Sequence, residues 1–264
     1  MVFANDLATA ARNRFARQTP EGGAIWRSEY FGPPPSPVSS SSVDPSAIGA
    51  LEYVDPAPGE VREPQAFLVE QEPGAVVHPH FHFVDQFQVV VDGSGTIGRQ
   101  PVQALAVQFA GACTGYGPIR PGPHGLKYFS LRASADSTGA QYMPAARGRM
   151  RPLPRRNRFA EPMMPSDAAA LRARQEGAIE RTLEGEDGLS VTLLRIPPGG
   201  TLAGPDPSEG AGQSVIVVAG AIDHGGRRLD RWGALFVGRD EPAYCAKAGP
   251  EGAELLFMQY PRKD

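Results

Sequence analysis

Gly74-Ala-Val-Val-His78-Pro-His80-Phe-His82-Phe-Val-Asp85-Gln86-Phe-Gln88-Val-Val-Val-Asp-Gly93 is the stretch on which the reading of this chain turns. Three of the five histidines of the protein fall within five residues here. The stretch reads as two β-runs, Ala75–Phe83 and Phe87–Val91, in which successive side chains alternate between faces. His80 and His82 therefore point the same way, and two imidazoles from one strand can meet one metal ion. Gln86 is in phase with both across a short turn. His78 stands one pleat before the pair, and His224, beside Gly225-Gly226, reads as an exposed turn residue.

The spacing resembles the first motif of the cupin family, G(X)5HXH(X)3,4E(X)6G. Gly74, His80, His82 and Gly93 match it position for position, with Gln86 where the family has glutamate. The second cupin motif, G(X)5PXG(X)2H(X)3N, is met more loosely by Gly115 to Tyr128. There Gly115 and Pro121 hold their spacing, His124 comes early and Tyr128 replaces asparagine. The resemblance implies an all-β protein of double-stranded β-helix (jelly-roll) barrels, with a metal held by His80, His82, His124 and Gln86.

The change from glutamate to Gln86 alters the charge of such a site. An amide is neutral and takes up no proton at ordinary pH, so a divalent ion among imidazoles and an amide keeps its full charge. That favours an anionic, chelating oxygen ligand: an organic acid, phenol or diketone. Three-histidine cupins similar to this arrangement include dioxygenases, which makes Fe(II) the expected metal, with Zn, Mn and Ni also suited to imidazole ligands. Tyr128 and Tyr116 are the residues expected to move a proton. The expected function is a dioxygenase acting on a small anionic substrate. The rivals are a redox-neutral metal isomerase or lyase, and a non-catalytic small-molecule-binding or regulatory cupin.

Working outward, short β-rich runs punctuated by turn signals recur on both sides of a central segment. Ala66–Glu70, Ala104–Phe109 and Lys127–Arg132 flank the histidine stretch, and Ser190–Ile196, Ser214–Val218, Ala234–Val237 and Glu254–Tyr260 follow later. Phe67 to Gly74 lines up with Thr192 to Gly199. Gln86 and Gly93 share their separation with Gln213 and Gly220. An internal duplication accounts for both. Alignment on Gln213 puts Pro207 and Glu209 where His80 and His82 stand, so the second copy is expected to hold no metal and to be structural or a dimer interface.

The expected boundaries are an arm over 1–45, a metal-binding barrel over 46–145, a linker with a short helix over 146–186, and a degenerate barrel over 187–264. The arm carries Gly32-Pro33-Pro34-Pro35 and Ser39 to Ser42, a composition that packs no core. The linker combines six arginines between Arg147 and Arg158 with prolines, then a helix over Asp167–Gln175 with Ser166 as its N-cap.

Composition excludes several classes. A net charge of −3 gives no basic excess for nucleic acid. The longest apolar runs fall far short of the ~20 residues that span a bilayer. The first eighteen residues lack the apolar stretch of a signal peptide, and Cys113 and Cys245 show no framework spacing. The expected setting is the cytoplasm, with a small anionic molecule as partner and a homodimer as the expected assembly.

Overall fold

The computed structural model describes residues 1–33, 52–136 and 138–262. The chain divides into two compact units, an N-terminal unit of Ala11–Phe159 and a C-terminal unit of Met1–Ala10 with Ala160–Asp264. The expected boundaries are corrected here. Most of the Pro-Ser stretch of the arm lies outside the described residues, but the residues before it are not an arm. Ala24–Phe31 is a strand of the N-terminal unit, and Val2–Asn5 is a strand of the C-terminal one.

The N-terminal unit carries β2 (Phe15–Gln18), β3 (Ala24–Phe31), β4 (Gln65–Gln71), β5 (His80–Phe81), β6 (Gln86–Ile97), β7 (Gln100–Gln103), β8 (Val107–Ala110), β9 (Ile119–Arg132), β10 (Gln141–Tyr142) and β11 (Asn157–Phe159). Its main sheet runs β11-β8-β6-β9-β4-β3-β2, with β7 paired to β6, and all the neighbours are antiparallel. The hydrogen-bonded path does not close. Even so, Ile25 on β3, Val69 on β4, Val90 on β6, Ala110 on β8 and Tyr128 on β9 share one buried cluster. The sheet therefore wraps around a common interior. Alternation then assigns Gln65, Phe67, Gln86, Gln88, Gln108, Ser130 and Arg132 to that inner face. Phe87 and Phe109, on the opposite face, pack on each other.

The C-terminal unit repeats the plan with β1 (Val2–Asn5), β12 (Ala178–Glu184), β13 (Ser190–Ile196), β14 (Thr201–Ala203), β15 (Gln213–His224), β16 (Arg227–Asp230), β17 (Ala234–Val237) and β18 (Cys245–Gln259). Its sheet order is β1-β17-β15-β18-β13-β12. The starts of β6 and β15, β7 and β16, and β8 and β17 are each 127 residues apart (86 and 213, 100 and 227, 107 and 234). The duplication thus extends to the strand ladders. It also extends to a contact that only glycine permits. Gly93 has φ +75°, and a Cβ there would lie 2.3 Å from the Gly125 carbonyl oxygen. Gly220, with φ +66°, faces the Gly252 carbonyl oxygen at 2.0 Å in the same way.

Two local expectations change. The run over Ala75–Phe83 is strand only at His80–Phe81, where it pairs with Gln141–Tyr142. Pro79 has no N–H to donate, and Val77 makes only an isolated bridge to Ile119. The linker helix is shorter than expected, Ala168–Ala173. Its cap is Asp167, whose carboxylate accepts from the Ala170 N–H, whereas the Ser166 hydroxyl donates to Glu254.

Candidate functional site

Seven polar side chains meet at one end of the inner face of the N-terminal unit: Gln65, His80, His82, Gln86, Tyr116, Arg132 and Asp136. None is more than 6% exposed. Most arrive on short, well-paired pieces of backbone. Gln65 opens β4 and Arg132 ends β9 opposite it. Gln86 opens β6. His80 is fixed by β10 on one side and by reciprocal backbone bonds with Tyr116 on the other.

Both imidazoles are oriented through Nδ1. His80 Nδ1 donates to the His78 carbonyl at 2.7 Å, and His82 Nδ1 donates to Asp136 Oδ2 at 2.9 Å. Thr138 holds the other Asp136 oxygen with its N–H and its hydroxyl. The two Nε2 atoms are therefore acceptors. The Tyr116 hydroxyl donates to His80 Nε2 at 2.7 Å. Arg132 Nη2 lies against the His82 ring, 3.0 Å from Nε2 and 3.2 Å from Nδ1. Gln86 ties the two halves together. Its Nε2 donates to the Tyr116 hydroxyl, and its Oε1 accepts from Arg132 Nε at 3.1 Å and Nη2 at 3.0 Å. Arg132 Nη1 donates to Gln65.

Burial sets the charges of this network. His80 is pushed down to about 3, by burial first and then by the nearness of His82 and Arg132, with the hydrogen bond to His78 opposing. His82 is pushed down to about 4, again by burial first and then by Arg132, with Asp136 opposing. Both are neutral at physiological pH. Burial works to raise the Asp136 carboxyl, but its hydrogen bonds and the Arg132 charge outweigh that, so it stays ionised. Burial also raises Tyr116, which keeps its proton. A neutral imidazole thus bridges a buried carboxylate and a buried guanidinium.

The residues expected from the sequence separate here. His80, His82, Gln86 and Tyr116 come together. Tyr128 lies on the inner face within the apolar cluster, where burial raises its hydroxyl strongly. His124 does not join them. It is exposed, in the segment of β9 that bulges between the pairs Gly95↔Pro121 and Gly93↔Leu126. The extra residues of that bulge carry its side chain into solvent instead of toward the histidine pair. Arg132, Asp136 and Gln65 were not among the expected site residues. Arg132 left a signal, a charge in inward phase at the end of Leu126-Lys-Tyr128-Phe-Ser130-Leu-Arg132. Asp136, in an irregular segment, left none.

The buried charge of Arg132 works against a metal at this histidine pair. Among the described residues no three or more His, Cys, Asp or Glu side chains gather as a ligand set. A metal on His82 would sit ~2.0–2.1 Å from Nε2 in the plane of the ring, close to the Arg132 guanidinium that lies against the ring face. A divalent ion ~4 Å from a guanidinium is repelled by roughly 8 kcal/mol at an effective dielectric near 20, twice the figure for two unit charges.

Two such units in one chain make the fold that of a bicupin. Among solved structures, it is similar to a candidate dioxygenase from Nostoc punctiforme, with TM-score 0.58 and 13% identity over 98% of this chain and 82% of that one. It is also similar to the bacterial pirin YhhW from Escherichia coli, solved in complex with nickel(II), with TM-score 0.52 and 13% identity over 99% and 100%. Vicilin from hazelnut, Corylus avellana, matches with TM-score 0.50 and 13% identity over 98% and 85%. At this identity the likeness is one of fold. No family model matches the sequence, and no curated protein matches it.

Proposed function

We propose that the N-terminal unit binds a small anionic organic molecule at Arg132, using a protein cation where other cupins use a metal. The observation that carries this reading is the buried Arg132 guanidinium lying against the His82 ring. A guanidinium fork matches a carboxylate bidentately, and Gln86 Oε1, which now accepts from two of its nitrogens, is a neutral acceptor that an anion outcompetes. The surroundings support negative charge. Arg17, Arg27 and Arg132 lie in inward phase on β2, β3 and β9 against the carboxylates Glu29 and Asp136, and Arg27 is buried enough to be pushed down to about 10. Tyr116 and the two neutral imidazoles would then orient the ligand.

A second reading, a metal-dependent oxygenase, has one observation in its favour. Both histidines have Nδ1 anchored on a carbonyl or carboxylate, as metal-ligating histidines do. When bound, a divalent metal would supply Lewis acidity at His80 and His82, with Arg132 displaced.

Calorimetric titration of hexanoate decides between them, using protein before and after metal chelation alongside elemental analysis. Binding that survives chelation and falls at least tenfold in Arg132→Gln supports the anion site. About one ion per chain, lost in His80→Ala/His82→Ala, with hexanoate binding that needs the ion, establishes the oxygenase-type centre in its place.

A further inference from the structure

The two units also differ on the inner wall one pleat further from Arg132. In the N-terminal unit Gln88 on β6 faces Gln108 on β8 and Ser130 on β9. In the C-terminal unit the same rung reads Val215, Leu235 and Phe257, all three packed in that unit's apolar core. At each of these positions the residue numbers differ by 127. The fold therefore does not demand polar residues on this rung. They are specific to the N-terminal copy, where Phe67 on the neighbouring strand supplies the aromatic ring of that level.

Neither amide is satisfied by the protein. Gln88 is 2% exposed and Gln108 is 1% exposed. Gln108 Nε2 donates to Asn157 at 2.8 Å, yet Oε1 of both residues is buried with no hydrogen-bond partner among the described residues. A buried acceptor left unpaired costs about 1–3 kcal/mol, and native interiors rarely keep two side by side without a use for them.

We infer that Gln88, Gln108 and Ser130 form a recognition wall for hydroxyl groups, so that the ligand held at Arg132 is a polyhydroxylated carboxylic acid of the sugar-acid type. The inference rests on the anion site proposed above and names the class of ligand that site takes. A hydroxyl donates to an amide oxygen while accepting from an amide or serine donor, so it meets every group of this wall. A carboxylate has no proton to give Oε1, and an alkyl tail leaves Oε1 unpaired. The division of labour follows from the spacing. Ser130 and Gln88 lie two residues along their strands from Arg132 and Gln86, ~7 Å at 3.3–3.4 Å per residue. One end of a short molecule is read by charge and the rest by hydroxyls.

Three probes separate the contributions: gluconate (charge with hydroxyls), hexanoate (charge without them) and glucitol (hydroxyls without charge), each titrated into the full chain. Gluconate should bind about tenfold or more tighter than hexanoate, and glucitol more weakly than gluconate. Gln88→Val with Gln108→Leu, which copies the C-terminal rung, should abolish the preference for gluconate, weakening gluconate about tenfold while hexanoate binds no more weakly than before. Gln88→Met gives the same comparison at nearly constant volume. If wild-type protein binds hexanoate as well as gluconate, the hydroxyl wall is refuted while the anion site stands. If neither acid binds, both readings fall.

Discussion

At His82 a neutral imidazole is held between a carboxylate and a guanidinium, and this one arrangement decides the character of the site. A histidine whose Nδ1–H is fixed by a carboxylate presents a basic Nε2, the usual preparation for a metal. Here the Arg132 guanidinium lies against that ring. Gln86 serves the same cation. Its oxygen accepts from Arg132 and its amide nitrogen donates to Tyr116, a pairing glutamate cannot make because it has no donor when ionised. Gln86→Glu therefore places a carboxylate on Arg132 and neutralises it. The variant should bind hexanoate at least tenfold more weakly and gain no metal. A variant that instead acquires about one divalent ion per chain by elemental analysis would show that the amide, and not Arg132, keeps metal out.

Among the elements, β6 with β9 and β15 with β18 are the long central pairs, and both carry the same glycine-only crossing. A methyl at Gly93 or Gly220 would meet a backbone carbonyl and would force a left-handed φ on a residue with a Cβ. Gly93→Ala should destabilise the N-terminal unit by about 2 kcal/mol or more, and Gly220→Ala the C-terminal unit similarly. The two tryptophans report them separately, Trp26 from β3 and Trp232 from the turn between β16 and β17. Urea unfolding in Trp232→Phe and Trp26→Phe backgrounds reads one unit at a time. A substitution that shifts only the other unit's transition would contradict the duplicated crossing. The outer strands show less symmetry. β8 receives β11 from the last residues of its own unit, whereas β17 receives β1 from the beginning of the chain.

For the whole molecule, the duplication has separated a polar copy from an apolar one, and acid distinguishes them. His80 and His82 titrate near 3 and 4 in the folded N-terminal unit against about 6.5 when unfolded. Below about pH 6.5 the unfolded chain takes up protons that the folded unit refuses, so stability is full above that pH and is lost as pH falls. The C-terminal unit has only the half-buried His224, shifted in the same direction by burial first. Between about pH 6.5 and 5, where most carboxylates remain ionised, the Trp26 transition should lose a few kcal/mol and the Trp232 transition far less. Equal losses would mean that the histidine pair does not carry its proton linkage in the folded unit.

The sequence by itself determined the strand runs, the duplication and the convergence of His80, His82 and Gln86. All of these follow from period-two alternation and from glycine spacing that any strand pairing must respect. It also marked the second copy as lacking the histidine pair, through Pro207 and Glu209. Only the tertiary structure decided what those side chains face. Arg132 lies 46 residues from Gln86 and 50 from His82, and nothing local sets that contact. It depends on the register of β9 against β4 and β6. The bulge that turns His124 outward depends on the same register. So does the assignment of β1 to the C-terminal sheet, because strand pairing is chosen by ladders and buried faces formed between distant segments.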